Sequence, residues 1–159
     1  MFAKCMESIA EQTYNDIVVI PHENEGGLPD YEYNLLCNDL KDRVEDGWFF
    51  FLDDDDTLFN RDAIAGLVPF LNDPETAVIC QFMRGTWAKP PYDFIREGVI
   101  ADGHIGLPCL VLHSSKKNIA DIKNAENGDY LWIKEVSEKM PVKFVQHVLV
   151  NSPKRNYGK

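Results

Sequence analysis

The sequence predicts an α/β fold, with an open and mostly parallel sheet and flanking helices. Strand-type and helix-type patterns alternate along the chain, which is typical of such sheets. Two strand-type segments, Ile17–Ile20 and Trp48–Leu52, are apolar throughout, as expected of strands that are covered on both faces. The chain has 159 residues, of which 45% are hydrophobic, enough for one buried core. We therefore expect a single folded domain over residues 1–159.

The individual elements follow from apolar spacing and from capping residues. Residues 85–108 are rich in proline and glycine and lack a lasting period, so we expect a long functional loop there. The predicted helices are 2–12, 30–44, one capped by Asn60, a short one capped by Ser114 or Ser115, and one capped by Asn127. The predicted strands are 17–20, 48–52, 77–82, 110–113 and 143–150.

The net charge excludes several classes of partner. At −10, with a pI near 4.7, the chain opposes the phosphate contacts that supply most nucleic-acid affinity, and it has no polybasic stretch for an anionic membrane. If the natural ligand is itself anionic, a bound divalent cation is the simplest way to reverse the local field. We expect no nucleic-acid partner.

The cysteines and the apolar stretches bear on location. All four cysteines lie in apolar surroundings without a C-x-x-C pair, which is typical of reduced core thiols. The longest apolar stretches, around Trp48–Leu52 and Ile105–Leu112, are too short to span a bilayer. The prediction is a cytoplasmic protein with no transmembrane segment.

Four successive carboxylates, Asp53, Asp54, Asp55 and Asp56, follow the second apolar strand directly. In an open α/β sheet the ligand site lies beyond the carboxyl ends of the strands, where this cluster is expected. Each close pair of these charges costs roughly 2 to 3 kcal/mol at an effective dielectric near 20, and a divalent cation removes that cost. Hard oxygen ligands suit Mg²⁺, Mn²⁺ or Ca²⁺. The alternative is a solvated acidic turn without a ligand.

A longer pattern surrounds the acidic cluster. It consists of Cys5-x-x-Ser8-Ile9-x-x-Gln12-Thr13-Tyr14 before an apolar strand, Tyr33-Asn34 and Asn38 in a helix, and Gly47 followed by Phe51-Leu52-Asp53-x-Asp55-Asp56. This pattern resembles family 2 glycosyltransferases of the GT-A fold. The resemblance covers residues 1–85 well and the remainder more weakly, through the strand at 110–113 and Gly128-Asp129-Tyr130.

The resemblance implies a metal-dependent glycosyltransferase that moves a sugar from a nucleotide-sugar donor to a hydroxyl acceptor, such as a carbohydrate. It implies a Mn²⁺ or Mg²⁺ ion bound by Asp53 and Asp55 with Asp56 as neighbour, and donor contact through Asp53, Asp54 and Asp55. In that role the metal stabilises the departing diphosphate. Asp129 is the implied general base, with Glu126 as the fallback, although Asp129 could equally be a helix cap.

In this comparison the fold is trimmed. The sequence opens on the helix that follows the family's first strand, and one strand–helix unit before the acidic cluster is missing. Pro21-His22-Glu23-Asn24 stands where the family has Asp-Asp-x-Ser. A non-catalytic descendant that binds a nucleotide sugar or a metal is therefore an alternative. The missing strand also predicts an exposed apolar edge at 48–52 and, from it, a homo-oligomer.

A second interpretation comes from Phe50-Phe51-Leu52-Asp53-x-Asp55-x-Thr57-Leu58, which resembles the first motif of haloacid-dehalogenase-like phosphatases. There Asp53 would be the nucleophile and Asp55 the general acid. No convincing lysine and acidic pair follows downstream, so this alternative ranks below the transferase.

Other residues with possible roles are fewer and weaker. The candidates are His104 and His147 as a third metal ligand, Lys154 and Arg155 as diphosphate contacts, and Trp87 and Tyr92 as stacking rings in the long loop, with His113 expected in the core.

Overall fold

The computed structural model describes residues 2–22, 32–84 and 100–152. Four α-helices occur in these ranges, and short 3₁₀ turns extend or connect some elements. The helices are α1 (Phe2–Ala10), α2 (Glu32–Asp42), α3 (Ala63–Leu67) and α4 (Gly128–Lys139), and the 3₁₀ turns are Val68–Phe70, Leu107–Cys109 and Ser114–Lys116.

Five strands form one mixed and curled sheet. They are β1 (Trp48–Phe49), β2 (Thr57–Leu58), β3 (Ala77–Arg84), β4 (Leu110–His113) and β5 (Val142–Ser152), in the spatial order β1-β4-β3-β5-β2. Only the β3–β5 pairing is parallel, whereas β1–β4, β3–β4 and β2–β5 are antiparallel. The prediction of a mostly parallel sheet is therefore wrong, while the α/β class is confirmed.

The strand pairings determine the path of residues 50–56, which contain the four aspartates. Because β1 and β3 are each antiparallel to β4, and β3 is parallel to β5, the three strands β1, β3 and β5 point the same way. β1 and β2 lie at opposite edges of the sheet, yet only residues 50–56 join them. These residues leave the carboxyl end of β1 and arrive beside the carboxyl end of β5, where Thr57 pairs with Asn151. The segment therefore runs from the carboxyl end of β1 to the carboxyl end of β5.

The short segment between β1 and β2 explains why the sheet is curled. Four strand spacings of about 4.8 Å make the sheet roughly 19 Å wide. The eight residue steps from Phe49 to Thr57 span at most roughly 26 Å, and a turn within the segment shortens this reach. The connection has little slack, and a curled sheet brings its two edges within range.

Two predicted strands differ from the observed structure. The sequence predicts a strand at Ile17–Ile20, but this segment has no strand pairing and Val18 is 84% exposed. A β-branched run becomes a strand only where a partner strand supplies the ladder, which the described residues do not provide here. Of the predicted strand 48–52, only Trp48–Phe49 pairs, because the chain then leaves β4 and runs toward the opposite edge of the sheet.

The other predicted elements agree with the structure to within a few residues. α1, α2, α3 and α4 occupy the expected places, as do β3, β4 and β5. The helix predicted after Asn60 is short and continues as a 3₁₀ turn, in which Val68 is exposed. The cap of the turn at Ser114–Lys116 is the His113 ring, which accepts from the Ser115 N–H at 3.2 Å, and not a serine.

The core lies between the sheet and the helices. Its largest fully buried side chains include Trp132, Ile133, Ile79, Leu110 and Leu149. The four cysteines, Cys5, Cys37, Cys80 and Cys109, are buried free thiols, as the sequence predicted. Within the described ranges, no helix combines the length and the apolar character needed to cross a bilayer.

Candidate functional site

The four aspartates form a tight turn, which we call the acidic turn (Asp53–Asp56). The Asp56 N–H donates to the Asp53 carbonyl at 3.0 Å and closes it. Asp54 is exposed and Asp53 and Asp55 are half-buried, whereas Asp56 is only 2% exposed. The carboxylates therefore differ in environment: Asp53 and Asp55 reach both protein and solvent, and Asp56 is enclosed.

Helices α1 and α2 both lie within the field of the acidic turn. Burial raises the pKa of the Cys5 thiol in α1, and the charges of all four aspartates raise it further. Burial also raises the pKa of the Cys37 thiol in α2 to about 12, with the Asp53 charge adding to the effect. The negative potential of the turn thus extends into the protein, and a bound cation would offset it.

The residues of the first resembling motif hold the chain that follows the turn. Ser8 Oγ accepts from the Leu58 N–H at 3.1 Å, and Gln12 Nε2 donates to the Asn60 carbonyl at 2.7 Å. Gln12 Oε1 accepts from the Ile64 N–H at 3.0 Å. These bonds attach α1 to the segment that leaves the acidic turn, so the motif has a structural role that the sequence alone did not reveal.

The second motif, in α2, binds a different segment. Asn38 makes two bonds with the backbone of Ile122, donating to its carbonyl and accepting from its N–H, both at 2.9 Å. Lys41 is 1% exposed and donates to the Ala120 carbonyl at 2.9 Å and to Asp121 Oδ1 at 2.8 Å. Asn34 Nδ2 donates to the Ala125 carbonyl at 2.9 Å. This polar stripe fixes the approach to α4.

The start of α4 packs closely against its neighbours and places Asp129. A β-carbon on Gly128 would collide with the Lys123 carbonyl and the Asn34 amide, so glycine permits this contact with α2. Asp129 Oδ1 accepts from the Tyr130 N–H at 2.7 Å. A β-carbon on Gly106 would lie 3.2 Å from Asp129 Oδ2, so the carboxylate rests against the 3₁₀ turn before β4.

An aromatic pair connects the acidic turn with α4. The rings of Phe51 and Trp132 meet edge to face, with centroids 5.8 Å apart. Phe51 precedes Asp53 by two residues, and Trp132 follows Asp129 by about one helical turn. The fold therefore brings the acidic turn and the first turn of α4 to the same region of the molecule.

The donor set suits a hard divalent cation. Carboxylate oxygens are the ligands that Mg²⁺ and Mn²⁺ prefer, and Mg²⁺ is commonly bound by one or two carboxylates together with substrate phosphates. In the described ranges, no group of three or more His, Cys, Asp or Glu side chains is arranged to hold a metal by itself. A cation here would therefore depend on oxygens from a ligand, and Asp53, Asp55 and Asp56 remain its predicted protein ligands.

The other candidates contact other parts of the fold, are exposed, or lie outside the described residues. His147 Nε2 contacts the Ala63 carbonyl at 2.7 Å, which ties β5 to α3, and His113 caps a 3₁₀ turn. His104 and Glu126 are exposed. Trp87, Tyr92, Lys154 and Arg155 lie outside the described residues.

Comparison with solved structures places the fold. The chain is similar to TarS of S. aureus (residues 1–349), a glycosyltransferase of GT-A-like fold, with a TM-score of 0.63 and 11% sequence identity. The match covers 96% of this chain and 56% of the TarS chain, so this chain spans little more than half of that structure. No family model and no curated protein matches the sequence. The fold is thus glycosyltransferase-like, and membership of family 2 stays a prediction.

Proposed function

We propose that this chain is the core of a metal-dependent glycosyltransferase that moves a sugar from a nucleotide-sugar donor to a hydroxyl acceptor. The observation that carries the proposal is the position of the acidic turn, on the segment that leaves the carboxyl end of β1 and reaches the carboxyl end of β5, in a glycosyltransferase-like fold. This is the end of an α/β sheet where ligands bind.

Each acidic residue has a separate task in this proposal. Asp53 and Asp55 hold a Mn²⁺ or Mg²⁺ ion, and the enclosed Asp56 is their neighbour. Asp54, which is exposed, contacts the donor. When bound, the ion neutralises charge on the donor's diphosphate. The rigid link from Ser8 and Gln12 to residues 58–64 limits movement of the turn, which preorganises its carboxylates.

Asp129 acts as the base in this scheme. Its Oδ1 is held by the Tyr130 N–H, which fixes the carboxylate at the start of α4. From there it takes the proton of the acceptor hydroxyl as that oxygen attacks the sugar's anomeric carbon and the diphosphate leaves.

Calorimetry with UDP and GDP, each with and without Mn²⁺, tests the proposal. We expect binding of at least one nucleotide that requires the metal and is lost in Asp53→Ala/Asp55→Ala. The matched control is Glu45→Ala/Asp46→Ala, which removes two exposed carboxylates from the loop before β1 and should bind as the wild type does.

The other outcomes separate the alternatives. Metal affinity that is equal in wild type and Asp53→Ala/Asp55→Ala would reject the metal site. Nucleotide binding without sugar transfer to any acceptor would favour the non-catalytic descendant. Hydrolysis of an aryl phosphate that disappears in Asp53→Asn would instead support the phosphatase.

A further inference from the structure

A second concavity lies beside the acidic turn, between α1 and the segment that follows β2. We call it the α1 groove. It has a volume of about 300 Å³, at the lower end of the range for small-molecule sites. Thr57 and Leu58 line it and directly follow Asp56, so the groove begins where the acidic turn ends. Its other main lining residues are Lys4, Glu7, Glu11, Phe59 and Arg61.

The α1 groove is preformed. The Thr13 N–H donates to the Arg61 carbonyl at 2.8 Å, and the Phe59 N–H donates to the Leu149 carbonyl in β5 at 2.9 Å. With the bonds from Ser8 to Leu58 and from Gln12 to Asn60, they fix both walls relative to each other. A ligand would therefore meet an existing site and would not have to order a loop.

The charges in the groove balance, although the whole chain carries −10. Lys4 and Arg61 contribute two positive charges, and Glu7 and Glu11 contribute two negative charges. Among the described residues, none of these four side chains forms an ion pair. The side chains of the groove thus present both strong donors and strong acceptors and carry no net charge of their own.

The side chain of Phe59 adds an apolar surface. It is 40% exposed although its backbone is bonded to β5, so its ring is available at the groove. A neutral ligand that is rich in hydroxyls on its edge and apolar on one face matches this combination of charged groups and ring.

We propose that the α1 groove binds a neutral saccharide of one or two sugar units. Its hydroxyls accept hydrogen bonds from Lys4 and Arg61 and donate to Glu7 and Glu11, while its C–H face lies on Phe59. That this saccharide is the sugar acceptor rests on the proposed function; that the groove binds a saccharide does not. Proximity to the acidic turn brings a hydroxyl of the bound saccharide toward the donor site.

The test is an amide NMR titration of the ¹⁵N-labelled chain with neutral methyl glycosides and disaccharides. We expect shifts at the backbone amides of Ser8, Leu58 and Phe59. Phe59→Ala should weaken binding by roughly tenfold, since loss of an aromatic contact corresponds to about that factor. Glu7→Gln/Glu11→Gln should weaken it by about fivefold or more. A sugar phosphate should bind no more tightly than its neutral parent.

The matched control is Phe2→Ala, which removes an exposed ring (46%) from α1 outside the groove lining and should bind as the wild type does. Equal affinity in Phe59→Ala and Phe2→Ala, or no groove shifts with any saccharide, overturns the proposal. Spectra of the free variants verify their fold. Calorimetry with Mn²⁺ and UDP or GDP on the same variants separates the two proposals. If no nucleotide binds while the saccharide still does, the donor site is rejected and the groove proposal stands.

Discussion

Asp129 has structural contacts at the start of α4, and a chemical role is proposed for the same carboxylate. Its Oδ1 accepts from the Tyr130 N–H at the first turn of α4, and its Oδ2 lies against Gly106. A carboxylate at this position also interacts favourably with the helix dipole. The contacts leave both roles possible, so the consequences of substitution must distinguish them.

We predict that Asp129→Asn lowers the rate of sugar transfer by roughly 100-fold or more and leaves nucleotide affinity almost unchanged. The amide oxygen can still accept from Tyr130 N–H, so stability should change by less than about 1 kcal/mol. Turnover and calorimetry measure the two effects. Glu126→Gln, an exposed neighbour, is the control. An unchanged rate in Asp129→Asn would show that Asp129 is only a cap, since asparagine caps a helix about as well as aspartate.

The pair of Lys41 and Asp121 predicts a pH dependence. The hydrogen bond from the Lys41 ammonium, together with its charge, holds the pKa of the Asp121 carboxyl below its ordinary value of 3.8. A lowered pKa in the folded state means that the interaction stabilises above the ordinary pKa and is lost as the pH falls through the folded value.

Urea unfolding between roughly pH 6 and pH 2 tests this expectation. The free energy of unfolding should fall more steeply for the wild type than for Asp121→Asn, which carries no titrating group there. Asp46→Asn, at an exposed position in the loop before β1, should follow the wild-type curve. Parallel curves for wild type and Asp121→Asn would show that the pair contributes nothing to acid stability.

At the scale of elements, helix α2 both packs on the core and binds a distant segment of the chain. Its polar residues Asn34, Asn38 and Lys41 all bind the backbone of residues 120–125. The sequence marked Asn34 and Asn38 through the family resemblance but gave no sign that Lys41 is buried, since an isolated lysine on a helix is normally solvated. Its partner is a backbone carbonyl 79 residues away, which no local pattern encodes.

We predict that Asn38→Ala destabilises the protein by about 2 kcal/mol, because it removes two hydrogen bonds and leaves both polar groups of Ile122 without that partner. Asp39→Ala, at the adjacent exposed position of α2, should change stability by less than about 0.5 kcal/mol. Urea unfolding measures both. Similar midpoints for the two variants would indicate that residues 120–125 do not depend on α2.

Element type was predictable where periodicity was strong, and pairing was not. α1, α2, α4 and β3 follow directly from apolar spacing, while Ile17–Ile20 has the composition of a strand without a neighbouring strand among the described residues. The acidic turn was predictable as a candidate site because four adjacent aspartates repel one another whatever fold surrounds them. The roles of Ser8, Gln12 and Lys41 depend on long-range contacts, so the sequence could not assign them.

At the scale of the whole molecule, the direction of β4 explains the wrong sheet prediction. Alternation of strands and helices suggested right-handed parallel crossovers, but β4 enters antiparallel between β1 and β3. β1, which leads to the acidic turn, still runs in the same direction as β3 and β5. The acidic turn therefore follows the carboxyl end of a strand, as the sequence predicted, although the pairing of the sheet is different.

The prediction of a homo-oligomer rests on residues 48–52, whose side chains are buried or half-buried, and the exposed apolar side chains lie instead in Ile17–Ile20. Val18 and Val19 are exposed beside the half-buried Ile17 and Ile20, and the short edge strand β1 offers backbone groups for pairing. Sedimentation at micromolar concentration should show a dimer or larger species, and Val18→Lys should shift it toward the 18.2 kDa monomer. Asn15→Lys adds the same charge at another exposed position of this segment and should leave the association unchanged. A wild-type monomer at all concentrations would contradict the prediction.

The short path of residues 50–56 between the two edges of the sheet has a consequence for its motion. With so little slack, neither β1 nor β2 can separate far from the sheet without pulling on the acidic turn and, through it, on the opposite edge. Opening of the two edges should therefore be correlated. A ligand that clamps the acidic turn would slow hydrogen exchange of the Phe49 and Phe59 amides together, although Phe49 lies in one edge strand and Phe59 directly follows the other. Ligand binding at the acidic turn would then stabilise both edges of the sheet at once.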